Sequence, residues 1–316
     1  MPDVLPHRIR SGGSPSIFRF PHALSRGLPL LALLALYSSG SGQEGSRPAL
    51  PDTGAFLGEL SWPEARDWLA QGPLIVLPFG AGAKEHGPHL PMNADAVVME
   101  YLCQTAVDSL PVLVAPPILH GWFPAFREFP GTEVSDPAVF QSYVMEVARS
   151  LVRQGAKRLV FLNTGIERAT GLPLAIVARE IRVQTGTPTL LVSWDDLETP
   201  EVEALQEQEF GGHADELETS VHLFLQPELV RMERAVAGVR APSAPAGPGY
   251  RPGLFSRNPG DPAFSESGVS GDPTLATRAK GERLLAIMSE QWLAALRSFA
   301  EVPLVEGTAL RRGDGV

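Results

Sequence analysis

Three short stretches hold most of the side chains able to do chemistry. The first runs Gly80-Ala-Gly-Ala-Lys84-Glu85-His86-Gly87-Pro88-His89-Leu90-Pro91 and is followed by Asp95. The second is Asn163-Thr164-Gly165-Ile166-Glu167-Arg168. The third comprises Trp194-Asp195-Asp196 and, further on, Gly211-Gly212-His213 with Asp215, Glu216, Glu218, Thr219 and Ser220. His86, Asp95 and Glu167 offer one imidazole and two carboxylates from separate stretches, a donor set suited to zinc or manganese. The His-x-x-His spacing alone says little, because Gly87 and Pro88 put His86 and His89 on a turn and the two need not share an ion. A loop histidine is ordinarily a hydrogen-bonded surface residue. Here, however, five of the seven histidines fall between His86 and His222, and company of this kind favours a site.

Elements that could hold these stretches in place are written in the apolar pattern. Leu74 to Phe79, Val112 to Ala115, Arg158 to Leu162 and Thr189 to Val192 read as buried strands, and Phe140, Val144, Val147 and Leu151 recur at helical spacing between the second and third. Strand and helix alternating in this way predict an α/β fold, a three-layer sandwich with a mainly parallel sheet covered by helices on both faces. In such sheets functional groups collect in the loops after the carboxyl ends of strands, where the three stretches fall. Leu275 to Ala300 reads as a closing helix with Leu284, Ile287, Met288, Trp292 and Leu296 along one core stripe. Between them, Arg240 to Asp272 is dense in Pro, Gly and Ser, a long ordered loop or a partner-contacting arm. No internal repeat and no Gly-rich phosphate loop is present.

The chain has 316 residues and a net charge of −10. In residues 1–42, Arg8, Arg10, Arg19 and Arg26 precede an apolar run, Leu28 to Tyr37, and a small-residue cluster, Ser38 to Gly42, the order of a secretory signal peptide. The run is half the ~20 residues that a spanning helix needs, and Pro29 interrupts it. The expectation is export to the periplasm or the extracellular space, with a linker over 43–55, a single folded domain over 56–302 and a tail over 303–316. Without the leader the chain carries 22 basic and 35 acidic residues, a net charge of −13. Nucleic acid and anionic membrane are thereby poor partners, since the leading electrostatic contribution would be repulsive. Cys103 is the single cysteine and, beside Val97, Val98, Tyr101 and Leu102, reads as core.

The string Lys84-Glu-His-Gly-Pro-His-Leu-Pro with Asp95 resembles the creatininase family's Glu-x-His-Gly-x-His signature and its later Asp. The resemblance extends over Gly58-Glu-Leu-Ser-Trp62, Phe129-Pro-Gly-Thr132, Asn163, Gly212-His213 to Glu218-Thr-Ser220, Ser267-Gly-Val-Ser-Gly-Asp-Pro-Thr-Leu-Ala-Thr277 and Lys280-Gly-Glu282. It spans about Leu57 to Ala300 in the family's order. The resemblance implies a metal-dependent amidohydrolase, often a hexamer, that cleaves carbon–nitrogen bonds of small cyclic or linear amides with metal-activated water. Some relatives look like maturation peptidases, and a non-catalytic binding protein that kept the fold is the reading from another class.

Carried over by position, His86 and Glu167 would hold one ion and Asp95 would bridge to a second. His213 would be the catalytic histidine, its pKa depressed at a helix start, and Glu218 its supporting carboxylate. The ligands that hold the family's other ion fall on Lys84 and Gly165. The alternatives are that the ammonium of Lys84 replaces that ion in the catalytic site and one zinc or manganese is bound, that a one-residue shift brings in Glu85 as a ligand and two are bound, or that the site binds no catalytic metal. Trp194 resembles part of the family's substrate loop, but no second tryptophan lies between it and His213, which argues against creatinine. Trp122 and Arg168, with Arg127, could face a small amide substrate, although exposed arginine is commonplace.

Overall fold

Parallel pairing organises the molecule from its middle strand outward. The computed structural model describes residues 51–165, 168–238 and 265–304, with Arg168 and Ala169 described in backbone only. All of these lie in one unit, Arg47–Val316. The leader, most of the linker, Glu167 and most of the tail fall outside the described residues.

Five strands, β1 (Ala55–Phe56), β2 (Leu74–Phe79), β3 (Val112–Val114), β4 (Arg158–Asn163) and β5 (Thr189–Ser193), form one sheet in the order β1-β3-β2-β4-β5. Every pairing is parallel. The interleaved helices are α1 (Trp62–Ala70), α2 (Ala94–Ser109), α3 (Pro137–Arg153), α4 (Arg168–Thr185), α5 (Pro200–Glu203), α6 (Glu216–Leu225) and α7 (Arg278–Ala300). Among the described residues no helix is long and apolar enough to cross a membrane.

The strands read as unbroken apolar runs because both faces are covered. Alternate residues serve opposite layers: Leu74, Val76, Val160 and Leu162 pack with α2, α6 and α7 residues such as Leu102, Val221, Leu284 and Met288. Ile75, Leu77, Leu159 and Phe161 pack instead with Phe140, Val144 and Leu151 of α3 and Leu174 and Val177 of α4. The three-layer sandwich expected from the alternation is therefore what the chain builds. Cys103 lies in the first of these cores, where burial pushes its thiol pKa up. Trp292 is fully buried there, and its indole N–H donates to the Leu102 carbonyl at 3.0 Å.

This topology brings the chemical stretches together. Phe79 pairs with Asn163 in register, so the loops after the two central strands start side by side. Thr164 ties them: its N–H donates to Phe79 O at 3.1 Å and its hydroxyl to Asp95 O at 2.8 Å, fixing the first turn of α2 against both strand ends. The final helix starts at Arg278, three residues later than expected, and keeps the whole apolar stripe. A 3-10 turn, Pro273–Leu275, precedes it, and the Thr277 hydroxyl caps it by accepting from Lys280 N.

Candidate active site

Asp95 sits in the first turn of α2 with a different partner on each carboxylate oxygen. Lys84 Nζ is 2.7 Å from Oδ2, and His86 Nε2 is 3.0 Å from Oδ1. Lys84 is 0 % exposed, His86 1 % and Asp95 3 %. Burial works against the Asp95 anion, but the two cationic neighbours override it and hold the carboxyl well below the usual carboxylate range. His86 Nδ1 donates to the Lys84 carbonyl at 2.9 Å. With Nε2 facing a carboxylate, both ring nitrogens face acceptors, which suits either an imidazolium or a ring whose Nε2 lone pair meets a cation. Burial lowers the His86 pKa and Asp95 raises it, and Asp95 wins.

His213 enters from the other side, two residues before the Asp215 N-cap whose side chain accepts from Leu217 N and Glu218 N. Its Nε2 lies 2.9 Å from Glu85 O and 3.0 Å from Glu85 Oε2, both acceptors, so Nε2 carries the hydrogen and Nδ1 keeps the lone pair. Burial pushes the His213 pKa down to about 4, with His86 and Lys84 acting in the same direction and Glu85 opposing. The neutral ring expected from the sequence is thus reached chiefly by desolvation, not by the helix start. The ring is centred 5.0 Å from that of His86 and 4.2 Å from that of Phe126.

Glu218 completes the group: Oε2 accepts from Ala214 N and lies 3.8 Å from His213 Nδ1. Oε1 is buried with no hydrogen-bond partner among the described residues. Burial pushes this carboxyl up to about 7. Backbone strain supports the arrangement, since Ala214, between the histidine and the N-cap, holds a φ of 48°.

One donor atom each from His86, His213 and Glu218 lies within 4.8 Å of the others. Two imidazoles and a carboxylate are a zinc-type set, and an orphaned buried carboxylate oxygen beside them is what a cation would satisfy. The donors present therefore fit one divalent ion, with His86 as the residue shared between this cluster and Asp95.

The chain matches the family model for creatinine amidohydrolase over residues 58–296. It belongs to the creatininase family. Creatinine amidohydrolase of Pseudomonas putida is 31% identical over 261 residues, covering 77% of this chain and 96% of that protein. A mycofactocin precursor peptide peptidase of Mycolicibacterium smegmatis is 31% identical over 242 residues, 74% of this chain and 88% of that one. A solved mutant creatininase of Zn-Zn type aligns with a TM-score of 0.64 at 29% identity, covering 77% of this chain and 97% of that one. This creatininase-family chain is accordingly a hydrolase on a metal-binding fold.

The other residues singled out in the sequence are placed as follows. Glu85 does not face Asp95. Its carboxylate is taken up by His213 Nε2 and Gly87 N, and it packs so closely on Gly268 (φ 76°) that a Cβ there would stand 1.9 Å from Oε1. Trp194 is a core residue instead of a substrate contact, at 5 % exposure and with its indole N–H donated to Glu198 at 3.0 Å. Trp122 is half-buried and packs against the α3–α4 core. Arg127 is exposed, and the Arg168 side chain lies outside the described residues, as does Glu167. His89 is buried with Nε2 on the Thr219 hydroxyl at 2.8 Å.

Phe123 and Phe126 were not singled out, yet their rings lie 5.7 and 5.2 Å from Lys84 Nζ. Ser270, within the Ser267 to Thr277 stretch, pairs its backbone with His213, Ser270 N donating to His213 O at 2.8 Å. Thus part of the expected loop, Ser265 to Asp272, walls the site, while residues 239–264 lie outside the described residues.

Proposed function

We propose that this chain hydrolyses a carbon–nitrogen bond of a small, cyclic or linear amide with zinc or manganese as cofactor. The observation that carries the reading is the buried meeting of His86 and Asp95 with His213 and Glu218, two pairs from chain segments more than a hundred residues apart. Folding alone gains nothing from burying four ionisable groups together. When bound, the ion activates water and polarises the amide carbonyl. The chain's own part is to orient and to move protons. Asp95 and the Lys84 carbonyl fix the tilt of His86. Glu85 holds the hydrogen of His213 on Nε2, which leaves the Nδ1 lone pair for one of two uses, completing the metal's donor set or accepting the proton of the attacking water and handing it to the leaving nitrogen. Glu218, hydrogen-bonded to Ala214 N, lies beside Nδ1 to balance the charge that forms.

Deep burial of every one of these groups favours a small amide over a peptide end, the second reading that the peptidase relative supports. Creatinine is disfavoured, because Trp194 is spent in the core. The discriminating experiment loads the protein with zinc or manganese and follows amine release from lactams, cyclic imides, linear amides and short peptides. Cleavage of a small amide that vanishes when the metal is stripped is the expected result. Turnover of peptides alone moves the reading to the peptidase, and metal-independent turnover defeats it.

The leader order supports export, with mature protein starting after Gly42. Mass spectrometry of the secreted chain should lack residues 1–42, and a full-length cytoplasmic chain would refute this. Exposed Val139, Tyr143, Ile176 and Val183 on α3 and α4 support self-association into the expected hexamer, measurable by light scattering.

A further inference from the structure

Asp95 has one oxygen committed to each side of the site, and the two sides differ. On the Oδ1 side stands His86, one of the three residues, with His213 and Glu218, whose donors fit a metal. On the Oδ2 side stands Lys84 Nζ at 2.7 Å. Around it lie the Phe123 and Phe126 rings and Gly165, where an added Cβ would be 3.7 Å from Oδ2 and 3.4 Å from Asn163 Oδ1. Among the described residues this side offers no imidazole and no second carboxylate at metal-ligand spacing. Among the described residues, a divalent ion placed there would meet one Asp95 oxygen, the Asn163 amide oxygen and an ammonium. Donors of that kind do not fit a metal.

We propose that Lys84 Nζ is the permanent second cation of this centre, so that the chain binds one metal ion where a Zn-Zn creatininase holds two. The inference rests on the metal-dependent reading above. A buried ammonium is costly unless paired, and here it is paired, with Asp95 and with two aromatic faces that favour a desolvated cation. Its backbone is held too, Lys84 N donating to Met92 O at 2.9 Å, so the charge is fixed in position before any ligand arrives. Gly165 is the complementary half of the change. A Cβ there would make only ordinary contacts, with Asn163 Oδ1, Phe123 and Asp95 Oδ2, so a side chain could start toward that oxygen.

The test counts zinc per chain by native mass spectrometry and calorimetry in the wild type, Lys84→Glu, Gly165→His and the double variant. The wild type should bind one zinc, neither single variant more than one, and the double variant two, a strongly non-additive gain. A wild type that binds two with Lys84 in place overturns the proposal, and this arm stands even if a variant misfolds by circular dichroism. One zinc in both the wild type and a folded double variant also overturns it, while leaving metal dependence intact. No zinc in any of the four proteins defeats the metal-dependent reading itself, and this inference with it.

Discussion

Glu85 and His213, 128 residues apart in sequence, meet at 3.0 Å between Oε2 and Nε2. That contact decides which nitrogen of His213 is free, and it turns the role of the histidine into a measurable question. As the acid-base group, His213→Ala should keep the metal and lose turnover by roughly 10²- to 10⁴-fold. His86→Ala should instead lose the metal while circular dichroism shows a folded protein. If His213→Ala empties the site as well, Nδ1 is a ligand and the proton carrier must be sought elsewhere.

Glu218 predicts how metal uptake depends on pH. Burial has raised its pKa to about 7, and the raised pKa of His86 adds a second proton that must leave before a cation can enter. Zinc affinity should therefore climb by about tenfold or more per pH unit up to about 7, and less steeply once Glu218 has lost its proton. Glu218→Gln should bind zinc more weakly and with a shallower pH slope. Calorimetry between pH 5.5 and 8 is the check, and a flat wild-type profile would remove Glu218 from the site.

His222 lies behind the site, buried, with Nδ1 near Gln226 Nε2 at 3.1 Å, and burial lowers its pKa to about 3. Because the folded value is below the unfolded one, the unfolded chain takes up the proton first as pH falls. Stability is full above about pH 6.5 and declines through the window down to about 3, so about 2 kcal/mol should go between pH 7 and pH 5 from this residue. Thermal melts of metal-free wild type and His222→Leu should diverge in slope over that range. Parallel slopes would contradict the assignment.

Helices α6 and α7 touch at Gly281, where an added Cβ would stand 1.9 Å from the Ser220 carbonyl oxygen. Gly281→Ala should force the helices apart and cost about 1–3 kcal/mol. Since Glu218 rides on α6, zinc affinity should fall along with the melting temperature. A variant as stable as the wild type would show that the two helices shift freely.

What could be read from the sequence follows from the range of the interactions involved. The strands were legible because burial on both faces writes an unbroken apolar run, as in Leu74 to Phe79. Lys84 beside Asp95 was one of the alternatives that the family resemblance left open, since it put the ammonium where a second ion would stand. Glu85 was not: its partner is on another loop, and nothing local tells a carboxylate whether to turn toward Asp95 or His213. Trp194 misled because an aromatic residue after a strand can face the mouth or the core, and only the packing of Leu197 and Val202 around it decides. Phe123 and Phe126 carry no chemical signature at all; their use as a cradle for an ammonium exists only in three dimensions.

Because Lys84 is joined to the backbone, the charge opposite Asp95 Oδ2 is made on the ribosome. It cannot be leached, traded or filled with the wrong element. A centre that depends on two captured ions fails when either is scarce or displaced by a competitor for the same ligands. If Lys84 is the second cation as proposed, only the His86 side of the carboxylate answers to trace-metal supply, and the Lys84 side is proof against mismetallation for the life of the chain.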